Sequence, residues 1–559
     1  MGERATVLVG VALSGVGVSP GSAGGPVYRK GDPPRLPAPV PVTDAAAERG
    51  RAHDALDAVA AELTARAREC PPGHQRDIVD ALALIAADPL LADGVDDAVA
   101  AGNDAPHAVD AAFAQQREML ESLGGMLAER AADLGDLRDR AVAWLLGVPM
   151  PGVPRPGVPY VLVARDLAPV DTAALDPHQV RALVTDEGGP TSHTAILAKA
   201  LGIPAVVACR GVLDVADGTL VVVDGDSGRV DVGVDEAAVA DVMAAAQRRA
   251  ARLAESRGPG TTADGHRVAL YLNIGSAADA DAVARVDAEG VGLFRTEFLF
   301  LDRTTAPTVD EQRESYAAVF AACGGRPVVV RTLDAGADKP LPFLGPDTSP
   351  NPALGVRGLR IDRLQPEILD VQLDAMARAA ASTGADVRVM APMVATAAEA
   401  DAFAARVRGH GLPVAGVMVE IPAAALQAER IFAAGVDFVS IGTNDLSQYT
   451  MAADRQAGSL ADLLDAWQPA LLRLVGMCGD AGRAAGKPVG VCGEAAADPL
   501  LAPVLVGLGV TSLSMSAVSV AAVREALAAV TLDECRVLAA AALAAASPAD
   551  AREAVRAAL

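Results

Sequence analysis

The sequence predicts a multidomain α/β protein: a small α/β domain carrying an inserted helical bundle, then a linker helix, then a carboxy-terminal (β/α)8 barrel. Three observations carry that expectation. An almost wholly helical stretch is bracketed by two proline-rich connectors, 33–41 and 147–159, the second holding five prolines and three glycines. Strand-like and helical runs alternate just beyond it. Between Val268 and Met515, eight short apolar runs recur at intervals of a few tens of residues, each ending on polar or small side chains.

In chain order, residues 1–31 read as strand and turn closing on Gly21, Gly24 and Gly25. They have no bundle character, so they are expected to join the sheet of residues 146–230. The stretch from Thr6 to Val18 resembles a signal peptide only superficially, because glycine and serine interrupt it; it reads as a buried strand. Residues 32–145 read as three or four helices, with breaks at Pro71-Pro72-Gly73, Gly102 and Gly124-Gly125. Strands are expected at 160–164, 180–185, 205–208 and 220–223, with a helix after the second. The linker, 231–260, contains an Ala- and Arg-rich helix that ends at Gly258-Pro259-Gly260. The barrel, 261–559, takes its strands from the runs at 268–272, 291–294, 327–330, 387–390, 414–419, 438–441, 488–491 and 512–515. An open doubly wound sheet is the alternative reading of the same alternation.

Composition narrows the function classes. At roughly 150 residues per domain, 559 residues allow three to four domains with large cores. The net charge of −24 disfavours nucleic acid and anionic membranes and suits a basic partner. Aromatic residues are only 3% of the chain, and much of the 51% apolar share is alanine, a composition of helix-rich enzymes rather than aromatic-rich binding modules. No uninterrupted apolar run approaches the roughly 20 residues a bilayer span needs. The six cysteines are scattered without CxxC or zinc-ligand spacing, which points to a reducing compartment and a cytoplasmic protein.

In a barrel of this kind the residues just past each strand face the active site. Those positions hold Arg295, then Arg331 with Asp334 and Lys339, then Glu420, then Asn444 and Asp445, then Cys492 and Glu494, with Arg455 a short loop further on. Converging guanidinium forks suit a phosphate or carboxylate ligand. Glu420 and Asp445 on neighbouring strand ends suit an oxygen-ligated Mg²⁺ shared with that ligand. Ion pairs of purely structural purpose are the alternative for any one of these residues.

A second segment, Asp186-Glu187-Gly188-Gly189-Pro190-Thr191-Ser192-His193-Thr194-Ala195-Ile196-Leu197, runs from strand to helix, with Thr191 or Ser192 as cap and Gly202 and Pro204 at the far end. His193 then stands at a helix amino terminus, where free N–H groups and the dipole favour an anion. An imidazole with the reference pKa of about 6.5 is mostly neutral near pH 7 and is a competent nucleophile, while a capping or packing role is the alternative that a lone histidine leaves open.

The stretch GGPTSHTAILAKALGIPAVV closely resembles the phosphohistidine signature of enzymes that handle phosphoenolpyruvate (PEP) through a mobile histidine domain. GLFRTEFLF, VVVRTLDAGADK, NPALGVRGLR, VMVEIPAA, SIGTNDLSQYT and GVCGE resemble the PEP-binding barrel of the same superfamily, in the same order. The resemblance covers essentially the whole chain and is closest to the enzyme I family of the PEP-dependent sugar phosphotransferase system. It implies a swivelling phosphohistidine domain and phosphorylation of His193 on Nε2. It further implies PEP binding by Arg295, Arg331, Asn444, Arg455 and the backbone of Asp445, with Arg357 nearby, and Mg²⁺ held by Glu420 and Asp445. Cys492 would protonate the enolpyruvate to give pyruvate, and Thr172 would hydrogen-bond the active histidine. The helical insertion would dock the phosphocarrier protein HPr, and the barrel would form a homodimer. Departures at Pro190, Ile421 and Ala335-Gly336-Ala337 touch none of these ligands. PEP synthases and pyruvate phosphate dikinases share these domains but need a large ATP-binding domain, for which this chain has no room. A non-catalytic sensor of the same fold predicts gaps among the catalytic residues, and there are none.

Overall fold

The computed structural model describes residues 10–31, 33–69, 74–123, 131–148, 152–167, 171, 175–189, 192–301, 303–336, 341–344, 351–455 and 458–559. They form two compact units, 1–249 and 250–559.

In the first unit, β1 (Val11–Ser14), β2 (Val16–Ser19) and β3 (Ser22–Arg29) precede the helices α1 (Ala45–Glu69), α2 (His74–Ala86), α3 (Pro89–Ala100), α4 (Ala105–Leu123) and α5 (Ala131–Leu146). Then come β4 (Tyr160–Ala164), β5 (Val180–Thr185), α6 (His193–Leu201), β6 (Ala205–Val207), β7 (Leu220–Asp224) and β8 (Arg229–Val232). The strands make one eight-stranded sheet in the order β1-β8-β7-β3-β4-β5-β6-β2. β3, β4, β5 and β6 run parallel, and the flanking pairs are antiparallel. Both faces of the parallel part are covered. Val161, Val163, Ala182 and Val184 pack to one side, and Tyr160, Leu162, Val180 and Leu183 to the other, which is why these strands read as unbroken apolar runs.

The amino-terminal reading needs correction. Residues 10–19 make two short strands broken at Gly15, and β1 is mostly exposed rather than buried. Among the described residues it pairs only with β8, as the outer strand of the sheet, so no second described strand covers it. β8 itself escapes the apolar-run reading because it alternates Arg229, Val230, Asp231 and Val232.

The helices α1 to α5 share one core. α1 buries Ala52, Ala55, Leu56, Val59, Leu63 and Ala67, a stripe at helical spacing, against Leu91, Val95, Val109 and Leu137. α3 starts in the favoured manner, with the Asp88 side chain accepting from Leu90 N at 2.9 Å and Pro89 at the first helical position. A buried ion network ties α5 to the sheet: Arg140 lies 2.7 Å from Asp136 and 3.6 Å from Asp171, and Asp171 also pairs with Lys30 beyond β3.

The linker helix α7 (Glu236–Glu255) leads to the second unit, a closed barrel of parallel strands. These are β9 (Ala269–Ile274), β10 (Val291–Arg295), β11 (Val328–Arg331), β12 (Val387–Ala391), β13 (Val414–Val419), β14 (Phe438–Ile441), β15 (Val489–Val491) and β16 (Ser512–Met515). The eight runs expected from sequence are these strands, and β16 pairs back to β9, so the open-sheet alternative fails.

Between them lie α8 (Ala277–Arg285), α9 (Val309–Ala322), α10 (Pro366–Thr383), α11 (Ala397–Gly409), α12 (Pro422–Leu426), α13 (Ala428–Ala433), α14 (Thr443–Met451), α15 (Pro469–Ala485) and α16 (Leu501–Gly507). After β16 come α17 (Ala517–Ala528), α18 (Leu532–Ala544) and α19 (Pro548–Ala558). α19 is latched by Arg552, which makes two 2.8 Å bonds to Asp465 and sits 5.6 Å over the Trp467 ring. One continuous apolar core lies between strands and helices, while Leu293, Val329, Met390, Met418 and Cys492 pack together as a separate small cluster. Among the described residues no helix is long and apolar enough to cross a membrane.

Candidate active site

The carboxyl ends of the barrel strands gather most of the expected residues. Arg295 and Arg331 close β10 and β11, Glu420 and Cys492 directly follow β13 and β15, and Asp445 lies in the first turn of α14, where a carboxylate is favoured by the helix dipole. Arg331 and Arg357 are both buried. Arg331 pairs with Glu297, lies 2.9 Å from Asp334 and 3.8 Å from Glu420. Arg357 reaches Asp334 at 3.3 Å and Asp445 at 2.9 Å, and donates to the Tyr449 hydroxyl at 3.4 Å. Arg455, partly exposed, lies 3.6 Å from Asp445.

The backbone around Arg357 is built for close approach. Gly336 has φ +106°, and a Cβ there would stand 2.8 Å from the Arg357 Cβ; Gly358 has φ +55°, and a Cβ would meet Met393 Cγ at 2.9 Å. Met393 is itself left-handed at φ +59°, an uncommon state for a side-chain-bearing residue. That turn lets its N–H donate to Glu420 Oε2 at 2.8 Å.

Four buried carboxylates (Glu297, Asp334, Glu420, Asp445) thus face two buried guanidiniums. Burial disfavours the charge on Arg331 and Arg357, but the surrounding carboxylates outweigh it and hold both above the ordinary arginine value. Burial raises Glu420, and Asp334 and Asp445 add to it, so its carboxyl is pushed up to about 8 despite Arg331 and the Met393 N–H. Asp334, Glu420 and Asp445 each offer an oxygen within 4.8 Å of the others. Such a set of hard oxygen donors with excess negative charge fits a divalent cation. The Nε atoms of Arg331 and Arg357 are buried with no hydrogen-bond partner among the described residues, donors available to an anion.

The remaining strand-end residues are arranged differently. Arg295 is exposed, and its charge acts on the Cys492 thiol. Asn444 is exposed, with its Oδ1 accepting from Glu494 N at 3.2 Å. Cys492 is buried; burial pushes its thiol up to about 11, with a hydrogen bond to Ser440 working the other way. Asn273 Nδ2 donates to the Cys492 carbonyl at 3.1 Å.

In the first unit, His193 is the first residue of α6. Ser192, not Thr191, is the cap, its Oγ accepting from Ala195 N at 3.3 Å, and Gly202 ends the helix at φ +66°. Thr194 donates to Asp166 at 3.0 Å. The His193 side chain, Thr172, Pro190, Thr191 and Lys339 lie outside the described residues.

Sequence reasoning missed Glu297 and Met393 and gave Asp334 no ligand role. Glu297 stands two residues past the end of β10, nearer a strand end than Asp334 or Asp445, and the strand-end reading stopped at Arg295.

Comparison with known proteins agrees along the chain. Residues 249–532 match the family model for the PEP-binding domain of PEP-utilising enzymes, 157–228 the mobile domain, and 14–130 the N-terminal domain. A phosphoenolpyruvate-protein phosphotransferase of Streptomyces coelicolor is 53% identical over 553 residues, covering 98% of this chain and 99% of that one. One from Haloferax volcanii is 44% identical, covering 92% and 94%, and one from Priestia megaterium 39%, covering 91% and 92%.

Proposed function

The chain belongs to the phosphoenolpyruvate-protein phosphotransferase family, and from that membership we propose how its residues divide the work. It is a transferase that moves the phosphoryl group of PEP to protein. We assign 1–31 with 146–230 to the phosphohistidine domain, 32–145 to carrier docking, 231–260 to the linker and 261–559 to PEP binding.

Arg331, Arg357, Arg455 and Arg295 neutralise and orient the phosphate and carboxylate of PEP, with Asn444 and the Asp445 backbone beside them. Glu420 and Asp445, with Asp334 alongside, would hold Mg²⁺, which supplies Lewis-acid neutralisation of the phosphoryl oxygens when bound. The Nε2 of His193 attacks phosphorus in line as the bond to the enol oxygen breaks. Cys492, kept protonated by burial, delivers its proton to the methylene carbon of the enolate, giving pyruvate and a thiolate that recovers a proton from solvent. Thr172 orients the imidazole. The phosphoryl group then passes to a histidine of HPr, docked on α1 to α5, as the first step of sugar uptake. A cytoplasmic homodimer joined through the barrel completes the reading.

The observation that carries this reading is the gathering of two buried guanidiniums with a three-carboxylate cation set at one end of the barrel. The test is incubation with PEP and Mg²⁺ followed by intact mass. One acid-labile phosphoryl group on the wild type and none on His193→Ala is expected. No gain on folded wild-type protein would move the reading to a phosphorylation sensor.

A further inference from the structure

Arg331 is gripped through its backbone as well as its guanidinium. Thr296 Oγ1 donates to the Arg331 carbonyl at 2.9 Å, while the next residue, Glu297, pairs with the guanidinium. Gln372, in the middle of α10, ties this grip to the helices: its Nε2 donates to Thr296 Oγ1 at 3.0 Å and to the Tyr316 hydroxyl at 3.0 Å. Its Oε1 accepts from Leu333 N at 2.9 Å. Tyr316 donates onward to Gln312 Oε1 at 3.0 Å, and Gln312 Nε2 to the Pro307 carbonyl at 3.0 Å. Thr296, Tyr316 and Gln372 are 0% exposed and Gln312 1%.

One amide therefore holds the chain on both sides of the strand end that bears Arg331, at Thr296 and at Leu333. Thr332 N is meanwhile bonded to the Met390 carbonyl at 3.0 Å, so every residue from 331 to 333 has a backbone group fixed. A leucine at 372 would fill a core layer without desolvating an amide. A buried polar network is tolerable only when complete, and this one is complete at Gln372; what it adds over an apolar layer is a unique position. A binding arginine needs such a fixed root, since misplacement of about 1 Å can cost about 10²-fold.

We propose that Gln372, acting through Thr296, is a positioning residue for PEP: it fixes the strand end from which Arg331 meets the substrate. The proposal rests on Arg331 being a PEP ligand. The experiment uses the full chain with PEP and Mg²⁺, measuring KM, kcat and calorimetric PEP affinity for Thr296→Val, Thr296→Ser and Gln372→Leu, with thermal melting of each. Thr296→Val and Gln372→Leu are expected to raise KM and weaken PEP binding about tenfold or more with a much smaller change in kcat. Thr296→Ser, which keeps the hydroxyl, is expected to restore wild-type values. Phosphoryl exchange between phosphorylated His193 and the carrier stays unchanged in all three. Lower melting temperatures with wild-type KM, or failure of Thr296→Ser to restore it, would overturn the positioning role. Failure of the wild-type chain to bind PEP would instead overturn Arg331 as ligand, and the proposal with it.

Discussion

The helix that begins at His193 and the mouth of the barrel are organised on opposite principles. α6 is a local structure: a serine cap, a glycine at its far end and two buried alanines, Ala195 and Ala198, all within a dozen residues. The mouth draws on strand ends from Arg295 to Cys492 and packs four carboxylates against two guanidiniums. α6 is therefore set by its own neighbouring residues, whereas the mouth holds surplus negative charge that the surrounding apolar core must overcome. A short capped helix needs no distant partner, but a buried cluster with more carboxylates than guanidiniums is destabilising until a cation offsets it.

Glu420→Gln would break this contrast most severely. Turnover should fall on the order of 10³-fold, the scale of losing one preorganised electrostatic group. Stability should move the other way. Glu420 binds its proton more tightly in the folded chain, with a value near 8, than in the unfolded chain near 4.5. Stability of the metal-free protein is therefore highest below the unfolded value, falls as pH rises between the two, and levels off above the folded one. Glu420→Gln removes that decline. Melting scans from pH 5 to 9 should show a downward slope for the wild type, relieved by added Mg²⁺, and a flatter trace for the variant.

Cys492→Ala sharpens the contrast within the barrel. Pyruvate formation should slow about 10²-fold, the usual scale of a lost proton donor, while exchange between phosphorylated His193 and HPr stays near wild type. Equal losses in both half-reactions would remove Cys492 from the proton transfer. Because its thiol is raised to about 11, no loss of its proton should limit the rate below about pH 10.

What the sequence made legible follows the same division. Most of the barrel strands are largely buried and appear as short apolar runs, so their ends, and with them Arg331, Glu420, Asp445 and Cys492, can be numbered without a structure. β8 and the exposed β1 lack such runs. Glu297 lies only two residues past β10 and carries no local sign of its pairing with Arg331, and Gln372 was not legible because a buried glutamine on a helix looks like a surface one until its partners are known. Asp334 was visible as an acid, but its pairing with Arg357 spans 23 residues of connecting chain, and nothing local encodes that return. Local sequence announces caps and strand ends; it is silent about charges that meet by topology.

The smallest effect should come from α6 itself. Ser192→Ala removes the side-chain bond to Ala195 N and should destabilise the first unit by about 1 kcal/mol. Because the cap bond uses one of the free N–H groups that an anion at a helix amino terminus would otherwise share, the phosphorylated form should lose no more than this. Its hydrolysis should then change by less than about fivefold. Ser192→Asp keeps the cap but adds a negative charge beside the first residue of the helix, so it should stabilise the unphosphorylated chain and disfavour the phosphorylated one. Melting of the isolated unphosphorylated form against the equilibrium level of phosphorylation at fixed PEP and pyruvate separates the two. If Ser192→Ala changed phosphorylation strongly and Ser192→Asp did not, the cap's hydrogen bond rather than charge would govern the site, and α6 would resemble the barrel mouth in depending on placement more than on local structure.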